Sequence, residues 1–480
     1  MTDLRTRMFY GSGGAVYAAK ESAYAMFILL FYTQVLGMGG TVTGVIIAVS
    51  LVWDSISDPL VGSLSDRLRS RWGRRHPFMA LSVLPLGIGF IGLFSPPQAV
   101  VTQPALLAAW LLFWSLWTRT FVTTFSIPHL ALSAEITDDY HQRSQVLGAR
   151  LAFMFLFSVL LPAAGLLLIF PTVDGEDGRF VAANYPAYGA LSCAVAWLAA
   201  CATLLGTRAH IRSTRDAPVP RGGGRVLTAL TRDLLRTLEN RNFRRVITYE
   251  FACMTAYGVI ISLNMLVWTY LWEFSPEESS VVLSLPSLLA VTLVMLTLGP
   301  LGRRFPKHRL MQFGLVGMVL NCLWLYPMKL AGLLPDNNGT LVFALNFLFM
   351  LIFMYCFLLR SICTQSVIAD ITDEHELSHG LRQEGGFFSM INLINKSATV
   401  IGPLYAGLAL DVIGLRSGLL PGNVPEPTLD GLIYALGLGV IPPLLVSLAL
   451  AMKISMSEEQ VNTVQAALRQ RREQGGTITP

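Results

Sequence analysis

Charge is what this sequence has least of. Only 14% of its 480 residues are Asp, Glu, Lys or Arg against 53% hydrophobic, where a soluble domain carries roughly 25% charged residues. That shortage excludes an ordinary soluble enzyme and places the chain in a bilayer. Cysteine is scarce too. Cys193, Cys201, Cys253, Cys322, Cys356 and Cys363 all lie in apolar stretches without metal-type spacing and are expected as small buried side chains. His76, His129, His308, His375 and His379 lack a paired nucleophile or a metal-ligand spacing. Gly222-Gly223-Gly224 lacks the Lys-Ser/Thr of a phosphate-binding loop, so neither an enzyme nor an ATP-driven pump is indicated. A secretory leader is not expected either: Met1–Arg7 is polar, and the first apolar run is long enough to be kept as a span. The net charge of +5 sits in loops beside apolar segments, which loop asymmetry explains without a nucleic-acid partner.

What is present is a series of apolar runs, each of about 20 residues or more. They lie near 9–37, 41–65, 78–96, 104–133, 146–170 and 187–206, then near 246–274, 279–301, 309–333, 339–369, 386–414 and 429–452. The pattern predicts an all-α membrane protein with twelve transmembrane helices in contact with membrane lipids. A polar, Arg-rich connection with Pro218, Pro220 and a short amphipathic helix around Leu227–Leu238 separates the two sets. The expected division is an N-terminal six-helix half (1–206), a cytoplasmic linker (207–245), a C-terminal half (246–455) and a tail (456–480). Basic loops at 66–77, near Arg143, through the linker, at Arg303–Arg309 and in the tail at Arg469, Arg471 and Arg472 put both termini in the cytoplasm. A bacterial inner membrane is the expected location.

A faint repeat joins the halves. Ala134-Glu135-Ile136-Thr137-Asp138-Asp139 closes the fourth run and Ala369-Asp370-Ile371-Thr372-Asp373-Glu374 closes the tenth; the same shift carries the Gly73-Arg74-Arg75 loop onto the basic stretch Lys307–Arg309. Two parallel six-helix halves with a site between them describe the major facilitator architecture.

The second run contains two acids, Asp54 and Asp58, spaced to share one helix face. At ~1.5 Å per residue they lie roughly 18 and 12 Å in from Asp66 at the helix end. A bare carboxylate there is costly, so such acids serve ions or substrate in a polar interior, or pair with Lys or Arg of another helix. The spacing points to movement of a solute together with a cation.

Several motifs in order resemble the glycoside–pentoside–hexuronide:cation symporters. They are Trp53-Asp54…Asp58-Pro59…Gly62…Asp66 with Ser70-Arg71-Trp72-Gly73-Arg74, then Asn240-Arg241-Asn242-Phe243-Arg244, then Ala369-Asp370…Asp373-Glu374…Arg382-Gln383-Glu384-Gly385 followed by Lys396. The likeness runs from about Gly11 to Gly414. It implies that Asp54, Ser57, Asp58 and Thr123 bind a monovalent cation, Na⁺ or H⁺, and that no other cofactor is needed. It also implies that Lys396 lies near the cation site, that Lys20-Glu21 supplies an acid for substrate hydroxyls, and that Arg150 lines the substrate cavity. Where the family has an Asp before Ile-Pro this chain has Ser126, and Leu130 stands in place of a stacking Trp. A grip on galactosides by paired carboxylates against an aromatic face is therefore not carried over.

Other residues are weighed on their own chemistry. Asp66, Arg67, Gly73, Arg74 and Arg75 form a candidate cytoplasmic gate or a topology signal, with Asp66 and Arg74 the expected latch. Arg119 lies mid-span, and Arg360 about 15 Å in from Asp370. With Lys20, Arg150 and Lys396 they outnumber Glu21, Asp54 and Asp58, which points to an anionic small-molecule substrate unless Glu250 or snorkelling absorbs the excess. Trp268 is a candidate sugar-stacking face and Asn392 a candidate hydrogen-bonding residue, while Tyr270 and Trp272 read as interfacial anchors. The leading reading is a secondary symporter of a sugar, glycoside or sugar acid. The alternatives are a carrier of lysolipid or another amphipathic anion, and a non-transporting sensor of the same fold.

Overall fold

The computed structural model describes residues 3–137, 139–211, 237–337, 339–379, 384–454 and 458–473. Positions 212–236, which hold most of the expected linker helix and the Gly222–Gly224 run, lie outside them, as do Asp138, Arg382 and Gln383. Among the described residues twelve helices are long and apolar enough to span a membrane: Leu4–Val35, Gly40–Arg67, His76–Phe94, Pro104–Ile136, Gln142–Ile169, Ala182–His210, Arg241–Leu271, Pro276–Arg304, Lys307–Leu330, Thr340–Leu377, Gly386–Ile413 and Glu426–Ala451. The expected count holds, and a further helix, Glu458–Glu473, lies in the expected tail. Apolar side chains and intrahelical hydrogen bonds make the helix the only economical backbone state in lipid. Pro59, Pro85 and Pro128 are accommodated inside spans for the same reason. The second span ends at Arg67, where Leu68 turns extended at φ −65° and ψ 134°.

The repeat is stronger in the backbone than in the sequence. The first span closes in a π-helical turn, Phe31–Val35, and the seventh in another, Val267–Leu271. Their bonds match: Leu36 N to Phe31 O and Met38 N to Tyr32 O in one, Trp272 N to Val267 O and Phe274 N to Trp268 O in the other. Gln34 and Tyr270 occupy the same place in these two turns, and the Tyr270 hydroxyl donates to Gln34 Oε1 at 3.1 Å.

By packing, the described chain separates into two units whose limits cut across the sequence halves. The first takes the six N-terminal spans together with Ile261–Ser284 and Pro403–Gly431. The second takes the seventh span up to Ile260, Leu285–Gly402 and the chain from Leu432. Close backbone approach explains why the end of the eleventh span joins the first unit. A Cβ on Gly407 would meet Gly40 O at 2.2 Å, so only glycine permits the crossing of the second and eleventh spans. Asp411 then caps the second span, accepting from Gly40 N at 2.8 Å and Thr41 N at 2.7 Å.

Candidate functional site

The first unit buries a charge cluster built by three spans. Lys20 and Glu21 come from the first, Asp54 and Asp58 from the second, Arg119 and Thr123 from the fourth. The i,i+4 spacing on the second and fourth spans puts both residues of each pair on one face, so the two faces meet. Lys20 Nζ lies 3.1 Å from Asp54 Oδ2 and 3.0 Å from Glu21 Oε1. Arg119 Nη1 lies 2.9 Å from the same Asp54 oxygen, and its Nε donates to Ser50 Oγ at 2.8 Å. The Thr123 hydroxyl is 3.4 Å from Asp54 Oδ1 and 3.0 Å from Asp58 Oδ1, bridging the two acids. Ser57, by contrast, donates to the Asp54 backbone carbonyl at 3.2 Å. Lys20, Asp54, Arg119 and Thr123 are all buried, whereas the Glu21 side chain keeps 40% of its surface. Cations stack on rings here as well: Arg119 lies 4.2 Å over Tyr24 and Lys20 4.2 Å over Tyr17.

The structure thus brings together Asp54, Asp58 and Thr123 of the four expected cation ligands, leaves the Ser57 hydroxyl on the Asp54 backbone carbonyl, and adds Lys20 and Arg119 as partners of Asp54. That corrects the expectation that these two cations await a substrate anion. The same holds for Arg360. It is fully buried in the second unit, and its Nη1 is paired with Glu250, the alternative that the sequence left open. Buried guanidinium groups satisfy their charge with the nearest carboxylate, and here each has one. Arg150 differs: its buried Nε has no hydrogen-bond partner among the described residues, and neither does Ser126 Oγ. Asn392 is exposed and Lys396 half-buried, both on the eleventh span in the second unit. Trp268 is only 2% exposed and offers no open face for stacking. Tyr270 and Trp272 are fully buried rather than interfacial, because the π-turn that carries them packs inside the first unit.

At the other end of the first unit, the expected gate residues tie three spans together. Arg75 reaches Asp66 at 2.6 Å and Glu135 at 3.0 Å, with Ser65 Oγ at 2.6 Å; Arg74 reaches Glu135 at 3.3 Å. The partner of Asp66 is therefore Arg75 and not the expected Arg74. Gly73 makes the turn at φ +74°, and Arg67 is exposed with no ion pair among the described residues. The repeat is visible here as well: Asp370, the counterpart of Glu135, accepts from Lys307 at 2.9 Å through both oxygens.

Sequence reasoning missed the seal opposite this end. Arg179, buried in the loop between the fifth and sixth spans, pairs with Asp177 at 2.6 Å and donates to Ser279 Oγ at 3.1 Å and to the Phe274 carbonyl. Glu277 accepts from Thr172 N at 3.0 Å beside it. The signal was there: Arg179 is the first basic residue after an acidic run, Asp174-Gly175-Glu176-Asp177, with only Gly178 between them.

A family model described as MFS/sugar transport protein matches residues 9–457. The uncharacterized symporter sll1374 of Synechocystis sp. is 22% identical over 508 residues, 91% of this chain and 90% of its own. The putative glycoside/cation symporter YagG of Escherichia coli is 25% identical over 408 residues, 85% of this chain and 82% of its own. Sodium-dependent lysophosphatidylcholine symporter 1 of Mus musculus is 30% identical over 158 residues, 32% of this chain and 29% of its own. The crystal structure of the nucleoside transporter NupG covers 95% of this chain and 100% of its own at TM-score 0.61 and 14% identity, a likeness of fold. The chain is an integral membrane protein of the MFS/sugar transport family, a cation-coupled symporter of major facilitator fold and not an enzyme.

Proposed function

We propose that the chain couples Na⁺ or H⁺, bound at Asp54, Asp58 and Thr123, to uptake of a sugar, glycoside or sugar acid held by Glu21, Arg150 and Ser126. The observation that carries this reading is the bridged acid pair: Thr123 joins Asp54 and Asp58 inside a cluster that ends in a half-open Glu21 carboxylate. Cation and solute would then meet within two turns of one bundle, which is what coupling requires. Lys20, Arg119 and Arg150 against Glu21, Asp54 and Asp58 sum to zero before the coupling cation binds and to +1 after it, and the buried Arg150 Nε has no hydrogen-bond partner among the described residues, so the loaded site suits a neutral sugar or a sugar acid. A lysolipid is the second reading, favoured by the 30% identity to the mouse lysophosphatidylcholine symporter over 158 residues. Both termini are assigned to the cytoplasm, which places the Asp66–Arg75–Glu135 ties inside and the Arg179 seal outside.

A thermal-shift screen of sugars, uronic acids and lysolipids in Na⁺ and choline buffers, at several pH values, tests the reading. Stabilisation by a sugar or sugar acid that Glu21→Gln and Arg150→Gln abolish is expected. Stabilisation by lysolipid alone, indifferent to both substitutions, refutes it.

A further inference from the structure

The second span carries two stripes that end on different arginines. Asp54, Ser57, Val61 and Ser65 are buried and recur at helical spacing, and this inner stripe finishes where Ser65 Oγ accepts from Arg75 Nη1 at 2.6 Å. Trp53, Ile56, Leu60 and Leu64 form the second stripe, between 37% and 58% exposed. Large apolar side chains left open on a spanning helix face lipid. Arg67, three residues after Leu64, continues that stripe at the helix end. From Ile56 to Arg67 is about 16 Å of helix, against a hydrocarbon core of roughly 30 Å, so the stripe reaches from mid-bilayer to the headgroups.

Beyond Arg67 the chain leaves the helix at Leu68, and Ser70–Gly73 closes a tight turn. Gly73 N donates to Ser70 O at 3.1 Å and Trp72 N to Ser70 Oγ at 3.0 Å. Arg71 and Trp72 are the two corner residues of that turn and project from it. Trp72 is 53% exposed, more than any other of the nine tryptophans, and the Arg71 guanidinium lies 5.7 Å over its ring. An indole that open is at home at the bilayer interface, where its ring is covered and its N–H stays wet. Arg67, Arg69 and Arg71 are exposed and in no ion pair among the described residues, because Arg74 and Arg75 take the carboxylates at hand, Asp66 and Glu135.

We propose that Arg67, Arg69, Arg71 and Trp72 form a binding surface for the headgroup of an anionic phospholipid, with the guanidinium groups on the phosphate and the indole at the start of the acyl chains. Guanidinium groups fork onto phosphate oxygens. Three positive charges without a protein counterion favour a lipid of net negative charge over a zwitterionic one. Acyl chains would lie along Leu60 and Leu64, a contact that a soluble anion cannot make. The basic loop thus divides its work: Arg74 and Arg75 tie the spans to one another, and the other three tie the protein to its lipid. Neither the solute nor the coupling ion enters this assignment, so it stands or falls apart from the proposed function.

The test titrates the purified full chain in detergent with phosphatidylglycerol or phosphatidylcholine of the same acyl chains, and counts bound lipid by native mass spectrometry. The wild type should retain phosphatidylglycerol in preference, and the preference should shrink as ammonium acetate is raised. Arg67→Gln, Arg69→Gln and Arg71→Gln, each of which leaves most of the basic loop intact, should each weaken that retention roughly fivefold. Trp72→Ala should weaken retention of both lipids. Arg303→Gln with Arg304→Gln, which takes two exposed arginines from the end of the eighth span, should leave the preference unchanged. Equal retention of the two lipids by the wild type overturns the proposal. So does a loss in the eighth-span variant as large as in the loop variants, since net charge alone would then explain it. Displacement of the lipid by inorganic phosphate at equal concentration overturns it too, because the site would then be one for the free anion.

Discussion

Glu250→Gln should destabilise the protein by about 3–5 kcal/mol, the cost typical of stripping one partner from a buried ion pair. Arg360, on the tenth span, is fully buried, and Glu250 of the seventh span keeps only 4% of its side-chain surface. Arg360 Nε and Nη2 have no hydrogen-bond partner among the described residues, so the Glu250 carboxylate carries the compensation of this charge. Glutamine preserves shape and one acceptor oxygen but leaves the guanidinium uncompensated. Removing both charges, Glu250→Gln with Arg360→Met, also removes the desolvation penalty, so the double variant should recover most of the loss. Chemical unfolding of the purified chain in detergent, followed by circular dichroism, gives the cycle. Wild-type stability in Glu250→Gln, or a double variant whose loss is the sum of the two single losses, would refute the reasoning. Arg360 would then return as a candidate for binding an anionic substrate.

Arg179→Gln should loosen the seal between the fifth–sixth loop and the start of the eighth span, lengthening distances between spin labels placed on those two segments; an unchanged distribution would make Arg179 a local fold element only. Gly407→Ala should cost about 1–3 kcal/mol by overpacking against Gly40 O and shift the same distances in the same direction, whereas a silent substitution would contradict the crossing. Asp370→Asn should lower stability by about 1 kcal/mol or less, since Lys307 is half exposed, and the effect should fade in high salt.

The spans were legible because length and hydropathy are local properties, and the acid pair because i,i+4 spacing fixes a face. The repeat was legible from Glu135 and Asp370, and each indeed binds the basic loop of its own half. What the sequence did not disclose was pairing across helices. Asp54 and Arg119 are 65 residues apart, and Glu250 and Arg360 are 110 apart. No local pattern sets the rotation of one span against another, so an unassigned arginine looked like surplus charge. Trp268, Tyr270 and Trp272 were misplaced for a related reason. A π-turn adds a residue to the helical period and carries their side chains away from the face that a 3.6-residue count assigns. Arg67 and Arg75 are alike in composition, yet Arg75 is buried because it begins the third span while Arg67 ends the second in solvent.

The claim that solute movement is driven through Asp54 and Asp58 is tested most directly by uptake into proteoliposomes. The solute identified by the stabilisation screen would be offered under an imposed inward cation gradient, to the wild type and to the Asp54→Asn/Asp58→Asn double variant. The wild type should accumulate the solute above its external concentration, and the double variant should only equilibrate it. Uphill accumulation by the double variant would contradict the claim.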